Sequence, residues 1–394
     1  MTDPSPVRTA DAADTAGPAL ERPVVGLAVG RGTGGELAEV FERALGALTA
    51  AHPAGVEIVR SPRLYHSYVS LREESGVAEI QRLTAEDADH YEAYCRGLAA
   101  RGATALFRTA INAQSLYLVR SRLRAVKTDL LTSGGRAGER SLLLVRDQAQ
   151  GFYTGENRHI PGRITRTMVL SQEITDAVVG YALERARHAW PDGRIGRVVM
   201  AYKFHLLDGA FDSWVAGAAR RSGIPVEVFQ PDTVNRGLLA EGLPDRTVLV
   251  AGNEWADIMH VMLLDRYGCG PQETRCAENV FLDPALGRLT EYQTVHGSAD
   301  DLAGLDRVNP LATVRAAARI AEHHAGCAGA VAATEAALAA VGGQGVRTAD
   351  LGGRHSTTAV VDAVLAALDP PGDVRGVRGV RGVRAGSTAR AGGS

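Results

Sequence analysis

Residues 198–211 read Val-Val-Met-Ala-Tyr-Lys-Phe-His-Leu-Leu-Asp-Gly-Ala-Phe. The first four form a short apolar run suited to a buried strand, and the loop after it carries Lys203. Upstream, Ile174, Val178, Tyr181 and Ala182 recur at helical spacing across Glu173 to Ala189. Helix, buried strand and polar loop make up the unit of α/β folds, whose sites lie where strands end. Composition singles out the same loop: of 43 Lys and Arg residues, only Lys127 and Lys203 are lysine. Arginine keeps its proton, whereas a lysine partly removed from water can release one. Lys203 is therefore either a proton-transfer residue or a chance survivor at a tolerant position.

The chain has 394 residues, enough for two domains, and a formal net charge of -2, which favours neither nucleic acid nor an anionic membrane as partner. No run approaches the roughly 18 apolar residues of a membrane span, and the first 22 residues lack a signal-peptide pattern. Cys95, Cys269, Cys276 and Cys327 fit neither a disulfide framework nor a zinc knuckle, so reduced thiols and a cytoplasmic setting are expected.

Outward from the lysine strand, further strands are expected at Val226–Phe229, ending at Asp232, and at Thr247–Val250, ending before Asn253 and Asp257. Carboxylates just after two strands could share a divalent cation, although loop aspartates are commonly turn or cap residues. Towards the amino terminus, a disordered leader (1–22) precedes a strand at Val24–Val29. Gly30-Arg31-Gly32-Thr33-Gly34-Gly35-Glu36 then leads into a helix through Leu37, Val40, Phe41, Leu45 and Leu48. The GxGxxG here lacks the acidic residue that a Rossmann site needs after the next strand, Val56–Val59, and reads as a turn needing positive φ.

A helix is expected from Ala85 to Ala99 with Thr84 as N-cap, then a strand from Ala103 to Phe107. If the following stretch is helical, Arg120 and Arg124 share a face, as an anion site or as a solvated surface. Leu142–Val145 is a buried strand, and from Gly155 to Leu170 β-branched residues mixed with Gly and Pro read as an extended arm or hairpin. Small residues recur from Gly268 to Gly304. Helices follow at Leu311–His324, Ala328–Val341 and Thr358–Leu368, before a disordered Val-Arg-Gly tail (370–394).

Five ordered motifs carry a resemblance. They are Gly30 to Glu36; Arg146 to Gly155; Lys203 with Asp208-Gly209-Ala210-Phe211; His296-Gly297-Ser298-Ala299-Asp300-Asp301-Leu302-Ala303-Gly304 with Asn309-Pro310; and Asp350-Leu351-Gly352-Gly353. Over roughly residues 23–369 the chain resembles the β-decarboxylating dehydrogenases, the family of isocitrate, isopropylmalate and homoisocitrate dehydrogenases. The resemblance implies a two-domain α/β fold with mixed sheets flanked by helices, not a Rossmann fold. A nucleotide-binding domain would combine 23–113 with 267–369, and a small domain, 114–266, would carry a dimer arm near 142–170.

It further implies a homodimer that oxidises a small 2-hydroxy acid with NAD and Mg²⁺ or Mn²⁺, loses the β-carboxylate and protonates the enolate. By position, Lys203 resembles the lysine that assists hydroxyl deprotonation and Tyr153 the tyrosine that protonates the enolate. Arg120 and Arg146 resemble carboxylate-binding arginines, Asp257 a metal ligand, and Asp232 the ligand supplied across the dimer interface. His296, Gly297, Ser298, Ala299 and Asn309 resemble the adenosine loop, with Asp301 on the ribose diol favouring NAD over NADP.

The departures cluster in one place. Leu130 stands about ten residues after Arg120, where a second substrate arginine belongs, and Val261 stands where a metal aspartate belongs. His205 replaces an asparagine two residues after the lysine. Lys127, Arg122 and Arg124 are the candidate substitutes for the lost cation. His205 and His260 are the candidate substitute ligands, or simply hydrogen-bonded histidines. Three functions follow: oxidation, with decarboxylation, of a malate-like 2-hydroxy acid; a catalytically silent paralogue with a nucleotide-binding or heteromeric regulatory role; or dehydrogenation without decarboxylation, a weakened metal site stabilising the enolate poorly.

Overall fold

The computed structural model describes residues 22–73, 76–133, 140–267, 274–294 and 297–368. The leader, the Val-Arg-Gly tail, Cys269 and His296 lie outside the described residues, apart from Arg22 at the leader's end. In chain order the elements are β1 (Val24–Gly30), α1 (Gly34–Leu48), β2 (Glu57–Tyr65), α2 (Tyr68–Arg72), α3 (Val77–Ala100), β3 (Ala105–Arg108), α4 (Ala113–Arg122), β4 (Ala125–Ser133) and β5 (Arg140–Asp147). Then come β6 (Glu156–Ile160), β7 (Arg163–Thr167), α5 (Gln172–Ala189), β8 (Arg197–Ala201), α6 (Ala210–Ser222), β9 (Glu227–Phe229), α7 (Pro231–Glu241), β10 (Thr247–Gly252) and α8 (Asn253–Tyr267). The chain closes with β11 (Cys276–Phe281), β12 (Thr290–Thr294), α9 (Leu311–His324), α10 (Ala330–Gly343) and α11 (Thr357–Ala367).

One mixed ten-stranded sheet organises the molecule, in the order β2-β1-β3-β12-β11-β4-β5-β10-β8-β9. Pairing is parallel at both ends and antiparallel from β12 through β11 and β4 to β5. Helices cover both faces, as a two-sided buried sheet requires. The β1 half packs α1, α9, α10 and α11 on one face and α3 with α4 on the other; the β10 half packs α5 with α6, and α7 with α8. The strands of the first half come from 24–108 and 276–294, those of the second from 125–252. We propose that these halves are the two domains. Among the described residues, no helix is long and apolar enough to cross a membrane.

Three local expectations need correction. β2 runs on to Tyr65 through Arg60, Pro62 and Arg63, because it is the edge strand, where a proline and charges do not break a ladder on both sides. α3 begins at Val77, and Thr84 is buried within it, beside Asn112, instead of capping it. The charged turn before Thr84 is helical, with Arg82 bonded to Glu79 and Glu86 at three- and four-residue spacing. α4 stops at Arg122, and Arg124 lies beyond it at φ 55°, so Arg120 and Arg124 share no helical face. The arm is a β6–β7 hairpin, as the Gly and Pro spacing implied.

The glycine turn after β1 is a packing device. A side chain at Gly30 would run into the carbonyl of Ala110, and Gly32 combines φ 73° with close approach to the Ser298 carbonyl. Thr33 fastens this turn, donating to that carbonyl through its backbone N–H and its Oγ1, both at 2.9 Å.

Candidate active site

β4 and β5 pair with Lys127 opposite Arg146; β11 and β12 extend the row with Asn279, opposite Lys127, and Glu291. Residues opposite one another share a face, so four adjacent strands present Arg146, Lys127, Asn279 and Glu291 side by side. Over this floor opens a cavity of 490 Å³, whose lining includes Arg108, Arg120, Lys127, Arg146, Tyr117 and Asp257. Ser298 and Ala299 of the proposed nucleotide loop form its rim.

The basic groups are positioned by partners around the floor. Arg146 donates Nε to Asn253 Oδ1 at 2.9 Å, pairs through Nη1 with Asp257, and reaches the Tyr117 hydroxyl at 3.3 Å. Glu291 lies behind Arg108 and Arg120 at 3.0 and 3.9 Å, and it accepts from Tyr91 at 2.6 Å and Asn279 at 2.8 Å. Burial alone pushes the Glu291 carboxyl up, but Arg108 and Arg120 overcome this and hold it below its ordinary range. Burial, then Arg108, lowers Arg120 to about 10. Burial, then Arg146, lowers Lys127 to about 8.

Of the three candidate substitutes for the lost cation, Lys127 lines the cavity. Leu130 pairs with Leu143 on the other face of β4 and is half exposed, so counting ten residues from Arg120 overshoots the cavity. Lys127, three residues earlier, occupies the floor and has no hydrogen-bond or ion-pair partner among the described residues. Arg122 is engaged with Asp89 and Glu92 outside, and Arg124 with Glu173. Arg108, Gln293 and Glu291 had been missed: β12 reads Thr-Glu-Tyr-Gln-Thr and carries no apolar strand signal, although all five residues are buried.

Other site candidates divide into two groups. Tyr153 packs against Tyr117, with ring centroids 5.0 Å apart, and donates to Asp257 Oδ2 at 3.4 Å. Burial, then Asp257, raises its hydroxyl pKa and keeps the proton on. Lys203 instead pairs with Asp232 at 2.7 Å, and neither lines the cavity. Lys203 borders a neighbouring, largely apolar groove with Phe152, Tyr153, Leu206 and Trp255. Asp232 and Asp257 therefore do not converge within one chain, and no cluster of three potential metal ligands occurs among the described residues. His260 is buried and bonded to Asp129 at 2.8 Å, the ordinary role for a histidine. His205 makes an edge contact with Phe204.

At the rim, Gly304 N–H donates to Glu36, Ser298 is held by Thr33, and buried Asn309 donates to Asp350 at 2.7 Å. Asp301 is exposed on a short 3-10 turn after Ala299, whose φ is 43°. These contacts fix the loop whose Ser298 and Ala299 line the cavity.

Residues 280–364 match the family model described as isocitrate/isopropylmalate dehydrogenase. A 3-isopropylmalate dehydrogenase of Symbiobacterium thermophilum is 32% identical over 217 residues, 53% of this chain and 58% of that protein. A mitochondrial protein of Kluyveromyces lactis named isocitrate dehydrogenase [NAD] subunit 2 is 26% identical, covering 58% and 61%. The matches span 34% to 62% of the length of the first curated relatives. In fold, the chain is similar to isocitrate dehydrogenase of Methylococcus capsulatus, with TM-score 0.60, 16% identity, and 88% of this chain and 99% of that one covered. A β-decarboxylating dehydrogenase of Thermococcus kodakarensis gives TM-score 0.56 at 20% identity, covering 88% and 96%. Residues 280–364 and the partial matches outside them are thus similar to isocitrate and isopropylmalate dehydrogenases, and the fold is similar to theirs.

Proposed function

We propose that the protein oxidises a malate-like 2-hydroxy dicarboxylic acid with NAD, with loss of the β-carboxylate as CO₂, and that it works as a homodimer. The observation that carries this reading is the charge on the cavity. Arg108, Arg120, Lys127 and Arg146 face Glu291 and Asp257, an excess of two positive charges that a dianionic acid would neutralise.

Arg120, Lys127 and Arg146 hold the carboxylates. Lys203 of a second copy takes the hydroxyl proton and Tyr153 returns a proton to the enolate carbon left by loss of CO₂; a nicotinamide bound at the rim would supply the hydride acceptor. Gly297, Ser298, Ala299 and Asn309, with Asp301 on the ribose diol, hold the dinucleotide. Exposed Phe152, Ile164, Met168, Val169, Leu206, Ile258 and Val261 provide the apolar surface that a second copy would cover.

One chain's residues do not make a divalent-cation site: Asp257 is a single carboxylate already paired with Arg146, and Val261 contributes no donor. Asp232 of a second copy would add the second oxygen donor, as Mg²⁺ and Mn²⁺ prefer, and such a cation would polarise the hydroxyl and carbonyl. This poor donor set is also the observation favouring the alternative, a silent paralogue that binds nucleotide or partners.

Two results test the reading. Malate binding to the metal-free protein is expected to weaken as pH rises through about 8, where Lys127 loses its proton with Arg146 and Arg120 beside it and Asp129 and Asp257 nearby. Lys127→Arg should abolish that fall, because its guanidinium stays charged. A pH-independent wild-type affinity would remove Lys127 from the clamp. Asp301→Lys, on an exposed side chain, is expected to shift the NAD/NADP ratio of kcat/KM by about ten-fold or more towards NADP. An unchanged ratio would place the ribose elsewhere.

A further inference from the structure

Side chains alternate across a strand, so the strands that floor the front cavity also face backwards. Thr128, Leu143, Glu278 and Tyr292 point to the reverse face, where a cavity of 610 Å³ opens between α5 and α9. Apart from Leu130, none of the residues assigned above to substrate, nucleotide or cation lines it. Its volume is in the range of small-molecule sites.

Charge in this cavity is unevenly compensated. Arg275 pairs with Asp129 at 2.8 Å and Arg319 with Glu278 at 2.5 Å. Arg185, on α5, makes no ion pair or hydrogen bond among the described residues, and its buried Nε lacks an acceptor. His188, further along α5, and His323 of α9 line the same space. A desolvated guanidinium N–H without an acceptor is costly, and an unsatisfied buried donor of this kind commonly marks a place for an ion or ligand. Two acidic side chains are present, but both are already engaged by the other arginines.

We propose that this reverse-face cavity is a second ligand site, which binds a small carboxylate or phosphate anion through Arg185, with His323 as a further donor; His188 borders it with its Nδ1–H donated to the Glu184 carbonyl at 2.9 Å. Arg319 borders it and retains its bond to Glu278. α5 belongs to the core of one half of the sheet and α9 to that of the other. A bound anion therefore ties the halves together behind the front cavity, and any coupling between the two sites is reciprocal. This site stands independently of the dehydrogenase reading.

Citrate and inorganic phosphate, titrated separately into the full chain and into Arg146→Gln, separate the two cavities and the two anion classes. Hydrogen exchange locates the ligand. At least one anion is expected to bind Arg146→Gln and to protect amides in the second half of α5 and the end of α9. Its affinity should fall at least about ten-fold in Arg185→Gln and less in Arg185→Lys, since the cation is kept. Should Arg185→Gln fail to fold, His323→Gln, at an exposed position, is expected to cost about three-fold. Unchanged binding in the folded variants, protection confined to the front cavity, or no binding by Arg146→Gln would overturn the proposal.

Discussion

Mixed with an equal amount of Asp257→Asn protein under conditions of subunit exchange, Lys203→Met protein is expected to regain about a quarter of wild-type turnover, although each variant alone is inactive. The reason is geometric. Asp257 lies in the front cavity against Arg146, whereas Lys203 is bonded to Asp232 beside a separate groove. If each site draws Lys203 from one copy and Asp257 from the other, a hybrid dimer has one site with both lesions and one with neither. Random exchange makes about half the dimers hybrids, each with one working site of two. NAD affinity should stay within a few-fold in both variants, because neither residue belongs to the loop at the rim. No recovery, with exchange demonstrated, would mean that the two groups act within one copy; full activity of Lys203→Met alone would refute its role in proton transfer.

Glu291→Gln is expected to cost about 3–5 kcal/mol of stability, measured by chemical denaturation, and to weaken dicarboxylate binding at the same time. The carboxylate is buried and serves Arg108, Arg120, Tyr91 and Asn279 together, so an amide leaves two crowded guanidinium groups without their anion. The pH dependence has a defined sign. The folded Glu291 carboxyl is held below its ordinary 4.5, so its contribution is fully present above that value and is lost as pH falls below it through the folded-state pKa. Glu291→Gln should therefore flatten the acid limb of the stability profile. A cost under about 1 kcal/mol would show that the arginines do not depend on this anion.

Much of the frame is legible in the chain. β1, β5, β8 and β10 are apolar runs, α5 and α9 have helical spacing, and Lys203, Asp232 and Asp257 each follow a strand, as the residue pattern implied. What escaped reading depends on packing between distant segments. β12 is a buried strand made largely of polar residues, stabilised by Arg108, Arg120, Asn279 and Tyr91 from elsewhere, so hydrophobic pattern gives it no signal. Lys127 was legible as one of three substitutes for the missing cation, but its place on the floor follows from pairing with Arg146 and not from its distance along the chain from Arg120. Arg124 misled for the opposite reason: the helix that would have aligned it with Arg120 ends two residues earlier.

The central claim is tested most directly by NADH and CO₂ formation in the purified protein with Mg²⁺ or Mn²⁺, across isocitrate, isopropylmalate, tartrate and malate. Metal-dependent NADH and CO₂ appearing together, in equal amounts, with a malate-like dicarboxylic acid is the expected result. NAD binding with no turnover on any of these acids would contradict the claim and favour the silent paralogue, whereas NADH without CO₂ would reduce the reaction to simple dehydrogenation.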